Sequence, residues 1–209
     1  MYYVGIDIGS TASKTVVTGD REMKFVLPTG WSSKETASEI ASRLLDEGID
    51  VMSEGVRVAA TGYGRVAVDY ADFVITEITC HARGAHFLDP SVRTVVDIGG
   101  QDSKVIRLDE TGAVVNFVMN DKCAAGTGRF LEMMARTMEM NLDQMSVTGL
   151  DYQEDITISS MCTVFAESEV VSLIAQNKAP DDIVHGLNKA VAAKTAALVQ
   201  RVGGEEKYM

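Results

Sequence analysis

The chain has 209 residues, of which 46% are hydrophobic and 23% charged, the proportions of a folded globular protein with a substantial core. A formal net charge of −11 argues against a nucleic-acid partner, because phosphate backbones are bound by basic faces. No apolar run approaches the roughly 18 residues of a membrane span. "MYYVGIDIGS" at the N-terminus has neither a basic segment nor a signal-peptide core, so the sequence reads as cytoplasmic, with no membrane partner.

"YYVGIDI" (2–8) is rich in aromatic and β-branched residues and predicts a strand. "ASKTVVTG" and "EMKFVLPT" predict two more, joined by tight turns into an antiparallel meander. From Ser33, the expected N-cap, the period changes: Ala37, Ile40, Ala41, Leu44 and Leu45 fall on one face of a helix. "VRVAAT" predicts the next strand and "ITEITCHARGAHFL" the next helix. The pattern then restarts. "RTVVDIGGQDSKVIRL" predicts two strands around a Gly-Gly turn, and "GAVVNFVMN" a third. A helix is expected from about Gly128, with Phe130, Leu131, Met134, Ala135 and Met138 on one stripe. "DITISS" predicts a short strand, 163–176 a helix, and 181–202 another with Pro180 near its start.

The restart is an internal repeat. "VGIDIGSTASKTVV" (4–17) and "VVDIGGQDSKVIRL" (95–108) share a strand, an Asp-Ile-Gly, a small polar turn, a Ser-Lys and a second strand. Aligning Asp7 with Asp97 puts Gly9 on Gly99, Ser13 on Ser103 and Lys14 on Lys104. Two related domains are expected, 1–90 and 91–209. Glycine at a turn lets backbone approach a ligand closely, and successive N–H groups there form anion-binding concavities. Gly9, Ser10, Thr11, Ser13 and Lys14 in the first hairpin are therefore candidate phosphate binders, as are Gly99, Gly100, Gln101, Asp102 and Lys104 in the second. Asp7 and Asp97 facing phosphates require a cation, which points to Mg²⁺. Gln101 has the chemistry to orient a hydrolytic water.

These hairpins resemble the two phosphate motifs of the acetokinase, sugar kinase, heat-shock-cognate and actin superfamily. That resemblance implies two ribonuclease-H-like α/β domains, each a mixed sheet opened by an antiparallel meander, with ATP/ADP in the cleft between them. Within the superfamily, "GIDIGSTASK", "ATGYGR", "DIGGQDSK", "MNDKCAAGTGRFLE" and "CTVFAESEV" resemble the activators of 2-hydroxyacyl-CoA dehydratases, a family that includes benzoyl-CoA reductase ATPase subunits. Members continue beyond the point matching "RVGGEEKYM" with a strand, an adenosine-gripping Gly-Gly turn and a closing helix. Gly203-Gly204 sit at a helix end and read as a C-cap. The resemblance thus implies an incomplete second domain, with weak adenine contacts and weak ATP binding in a calorimetric titration.

The three cysteines, Cys80, Cys123 and Cys162, are too few and too scattered for a disulfide framework. Cys123 and Cys162 each precede a predicted helix, where the macrodipole and free N–H groups favour negative charge. From the residues alone three readings stand: small buried hydrophobes, a zinc site weakened by the lack of any Cys-x-x-Cys pair, or cluster ligands. The resemblance implies the last: one [4Fe–4S] cluster bridging a homodimer through Cys123 and Cys162 of each chain. It further implies an ATP-dependent electron donor, loaded by ferredoxin or flavodoxin, that activates a 2-hydroxyacyl-CoA dehydratase or related reductase. A small-molecule kinase or a non-enzymatic nucleotide-dependent scaffold is the alternative. Cys80 is expected in or near a core, and His81, His86 and His185 as surface or satisfied side chains.

Overall fold

The alternation along the first strand decides which way its sheet faces. In the computed structural model, which describes residues 1–120, 124–159 and 162–209, Val4, Ile6 and Ile8 of β1 (Tyr2–Ile8) are buried. Gly5 and Asp7 consequently lie on the opposite face. β2 (Ala12–Gly19) and β3 (Met23–Pro28) complete an antiparallel meander. Helix α1 (Ser33–Asp46) then carries the chain to β4 (Val56–Thr61), parallel to β1, and β5 (Phe73–Val74) extends the parallel side. The result is a mixed five-stranded sheet in the order β3-β2-β1-β4-β5. Ala37, Ile40 and Leu44 of α1 pack with Val4, Ile6, Ile8 and Val58 in one core. The cap of α1 is Ser32, one residue earlier than expected: its hydroxyl accepts from the Glu35 N–H at 3.3 Å, while Thr36 donates to the Ser32 carbonyl.

The first compact unit spans Met1–Gly84 and the second Ala85–Met209, the boundary falling within α2 (Glu77–Leu88). The second unit opens with another antiparallel meander: β6 (Thr94–Ile98), β7 (Ser103–Leu108) and β8 (Val114–Asn120). These three strands pair antiparallel throughout; beside them an isolated parallel bridge sets Thr94 opposite Tyr208, and the Val96 N–H donates to the Met209 carbonyl at 2.7 Å. Four helices follow among the described residues: α3 (Gly128–Thr137), α4 (Leu142–Val147), α5 (Thr163–Ala175) and α6 (Pro180–Val202). Gly203 closes α6 at φ 70°, its N–H turned back to the Gln200 and Val199 carbonyls, the C-cap the sequence predicted.

Two expectations change. Residues 155–159 are not a strand; Ile156 and Ile158 alternate into a helical core with Val184 and Leu187, and no strand pairs with them among the described residues. Their period-2 pattern reflects one-sided burial without sheet pairing. Helix α4 was not expected; an Asn141–Gln144 capping box starts it, each side chain bonded to the other's backbone N–H. No described helix is long and apolar enough to cross a membrane.

The start of α6 supplies a pH-dependent tie. Asp182 accepts the backbone N–H groups of Glu154 (2.9 Å) and Gln153 (2.7 Å), which hold its carboxyl below the usual carboxylate range. A folded-state value below the unfolded one means the contribution is complete above about pH 4 and is lost as pH falls through the depressed value. Thermal melts between about pH 3 and 6 should therefore show a shallower acid decline for Asp182→Asn than for the native chain.

Candidate functional site

Both Asp-Ile-Gly hairpins fold as the repeat requires, and each is described within its own unit. In the first, the Gly9 N–H donates to the Ala12 carbonyl at 3.2 Å, closing the turn that holds Ser10 and Thr11. A Cβ on Gly9 would stand 2.8 Å from that carbonyl and 3.1 Å from Lys14 Nζ, so the tight turn requires glycine. Lys14 Nζ donates to Asp7 Oδ2 at 3.0 Å, with half of the lysine side chain exposed. The other oxygen, Asp7 Oδ1, is buried with no hydrogen-bond partner among the described residues. Ser13 points the other way: it is buried and shares a 2.7 Å bond with the Thr29 hydroxyl.

The second hairpin differs most consequentially at its last turn position. Where the first has Ala12, the repeat places Asp102, which is 4% exposed. Lys104 is buried with it: Nζ lies 2.9 Å from Asp97 Oδ2 and 3.0 Å from Asp102 Oδ2. A Cβ on Gly99 would sit 2.5 Å from Asp102 Oδ1. Lys104 is thus a structural counter-ion shared by two carboxylates, whereas Lys14 is an accessible cation. Gly100 and Gln101 form the turn, and Gln101 is exposed.

This hairpin is bonded directly to α3. An α-helix leaves its first four N–H groups without intrahelical acceptors. Here the Gly128 N–H donates to the Gly99 carbonyl and the Arg129 N–H to the Gly100 carbonyl, both at 2.9 Å. Ser103 Oγ adds a third bond, 2.8 Å to the Gly126 carbonyl. The N-cap residue Thr127, fully buried, turns its hydroxyl back to the Ala124 carbonyl at 2.5 Å. The turn carbonyls of the Asp97 hairpin therefore substitute for a capping side chain.

Of the candidate cluster residues, Cys123 lies outside the described residues. Cys162 is the N-cap of α5, exposed, in no disulfide and with no side-chain capping bond. Val164 and Phe165 beside it are exposed at 64% and 67%. Cys80 is half-buried in α2. The donor chemistry fits both implied groups. An exposed thiol at a helix N-terminus suits an iron–sulfur cluster, and a carboxylate oxygen with no protein partner suits a hard cation.

The segment "ATGYGR" (60–65), which carries part of the family resemblance, packs against the first hairpin. Gly62, at φ 86°, abuts Asp7: a Cβ there would stand 2.3 Å from Asp7 Oδ1. Arg65 Nη1 donates to the Gly62 carbonyl at 2.9 Å, and the Gly64 N–H to the Ile8 carbonyl at 2.9 Å. Two glycines within three residues at a strand end were the available signal.

The profile of the BadF/BadG/BcrA/BcrD ATPase family matches residues 4–209. The chain belongs to this ATPase family. It is 46% identical over 211 residues to the activator of lactoyl-CoA dehydratase from Anaerotignum propionicum, a match covering 99% of this chain and 80% of that protein. Its structure resembles component A of the (R)-2-hydroxyglutaryl-CoA dehydratase from Acidaminococcus fermentans, at 41% identity and a TM-score of 0.89, covering 100% of this chain and 81% of the other. The activator of the 2-hydroxyisocaproyl-CoA dehydratase from Clostridium difficile, solved with bound ADPNP, matches at 42% identity and a TM-score of 0.88, covering 100% of this chain and 78% of that one. This BadF/BadG/BcrA/BcrD family ATPase thus has the actin-like fold that its repeated hairpins foretold.

Proposed function

We propose that this ATPase is an electron donor that activates a 2-hydroxyacyl-CoA dehydratase or related reductase, acting as a cytoplasmic homodimer. Cys123 and Cys162 of each copy would hold one shared [4Fe–4S] cluster, which when bound supplies a one-electron redox centre. Ferredoxin or flavodoxin is the proposed electron source. Asp7 and Asp97 would hold Mg²⁺, neutralising the phosphate charge of ATP or ADP beside the Gly9–Thr11 and Gly99–Gln101 turns, with Gln101 orienting the hydrolytic water.

The observation that carries this reading is the bonding of the Asp97 hairpin to the start of α3. The residues that would meet phosphate and the helix that begins just after Cys123 are one hydrogen-bonded piece, through Gly128 to Gly99 and Arg129 to Gly100. Movement of the Asp97 hairpin on nucleotide exchange must move α3 or break those two bonds. Such a linked element supports a nucleotide-dependent change around Cys123. The activator names carried by relatives at 41–46% identity support the same role.

The test is nucleotide-dependent electron delivery. Anaerobically reduced protein should reduce a low-potential viologen acceptor when ATP and Mg²⁺ are added and only slowly with ADP. Equal rates with and without ATP would contradict the proposal.

A further inference from the structure

We infer that Glu169 is a positioning residue for Cys162, its carboxylate clamping the segment that delivers this cysteine to the start of α5. This rests on the proposed ligation of a cluster by Cys162. The segment before the cysteine is fixed step by step. Asp182 of α6 accepts the N–H groups of Gln153 and Glu154 at 2.7 and 2.9 Å. Ile156 and Ile158 are buried with Val184 and Leu187 of α6. A Cβ on Gly186 would stand 2.7 Å from the Ile156 carbonyl oxygen, so the segment lies directly against α6 there. At Ser159 the chain turns to α5. The Ser159 N–H lies 3.1 Å from both carboxylate oxygens of Glu169, and its hydroxyl 3.2 Å from both.

Cys162 follows three residues later, as the N-cap of α5. On its other side the helix holds it: the Ala166 N–H donates to the Cys162 carbonyl at 2.9 Å, and Ala166 and Val170 anchor α5 in the core. The cysteine side chain makes no capping bond, so the thiol is oriented through the backbone on either side. Glu169 stands seven residues, about two turns, beyond the cysteine and so lies on the same side of α5. Helical side chains lean toward the N-terminus, which brings this carboxylate to the segment entering at Cys162. A carboxylate that receives both donors of one residue makes charge-assisted bonds, stronger than neutral ones. The clamp sets where the three-residue approach to Cys162 begins, and α5 sets where it ends. Metal ligands keep their geometry through such outer supports, whose loss weakens metal holding by about 10- to 100-fold.

The same segment carries a second surface tie that serves as a control. Lys178 Nζ lies 2.6 Å from Glu154 Oε2, on the far side of the core-anchored Ile156 and Ile158. The experiment uses the anaerobically purified, cluster-loaded chain. Iron release to the chelator bathophenanthroline disulfonate and the EPR signal of the reduced cluster are measured, at a temperature well below the Tm of every iron-free variant. Glu169→Ala should speed release by about 10-fold and alter the EPR signal, which reports ligand geometry rather than stability. Glu169→Gln keeps one acceptor oxygen for Ser159 and should fall between Glu169→Ala and the native chain. Lys178→Ala should match the native chain in both readouts. A native release rate or a native EPR signal in Glu169→Ala overturns the role assigned to Glu169, as does an equal change in Lys178→Ala. A native chain that holds no iron, or full iron retention by Cys162→Ala, overturns instead the cluster ligation on which that role rests.

Discussion

Cys162→Ala is expected to abolish cluster retention while leaving ATP hydrolysis within about threefold of the native rate. The cysteine occupies the N-cap of α5, where a side chain ordinarily accepts a backbone N–H, and it makes no such bond. Its replacement therefore removes no capping interaction, and the fold should be little affected. A [4Fe–4S] cluster requires four ligands. Two chains contributing Cys123 and Cys162 supply that number, and two chains contributing only one each do not. Iron in anaerobically prepared Cys162→Ala should fall from about four atoms per two chains to near zero, with loss of the broad visible absorption. Cys80→Ala should keep its iron, since Cys80 lies within α2 and not at a helix start. Full iron retention by Cys162→Ala would remove Cys162 from the ligand set.

Lys104→Met should destabilise the chain by about 3–5 kcal/mol, the usual cost of removing one partner from a buried ion network. The lysine side chain is 2% exposed and lies at 2.9–3.0 Å from carboxylate oxygens of both Asp97 and Asp102. Removing the cation leaves two carboxylates together, one of them 6% exposed. The repeat provides the comparison. Lys14→Met breaks the matching pair with Asp7, but that lysine is 51% exposed, and exposed pairs contribute only about 0–1 kcal/mol. Denaturant melts of the two variants should differ severalfold in lost stability. Equal losses would mean that Asp102 does not make the second hairpin electrostatically distinct.

Much of this was legible in the residues. The repeated Asp-Ile-Gly and Ser-Lys frame revealed two meanders, because strand period, glycine turn and charge pattern agree at both places. Which of the two lysines is buried was not legible. That depends on Asp102 folding back over Gly99, and a carboxylate in a turn looks the same in sequence whether it faces solvent or a lysine. Ser13 reads in sequence as a phosphate binder, and the repeat aligns it with Ser103. Strand alternation instead puts Ser13 against Thr29, and Ser103 on the Gly126 carbonyl, where it braces the segment leading to α3. The link from the Asp97 hairpin to α3 is likewise made by backbone groups, which carry no residue signature.

The central claim is that two copies of this ATPase share one cluster. Its most direct test is iron and acid-labile sulfide analysis, with native mass determination, on protein purified without oxygen. The account predicts about four irons and four sulfides per pair of chains, and a dimer that dissociates or loses its visible spectrum when the iron is chelated. Four irons on each single chain, or a stable dimer that never contained iron, would contradict it.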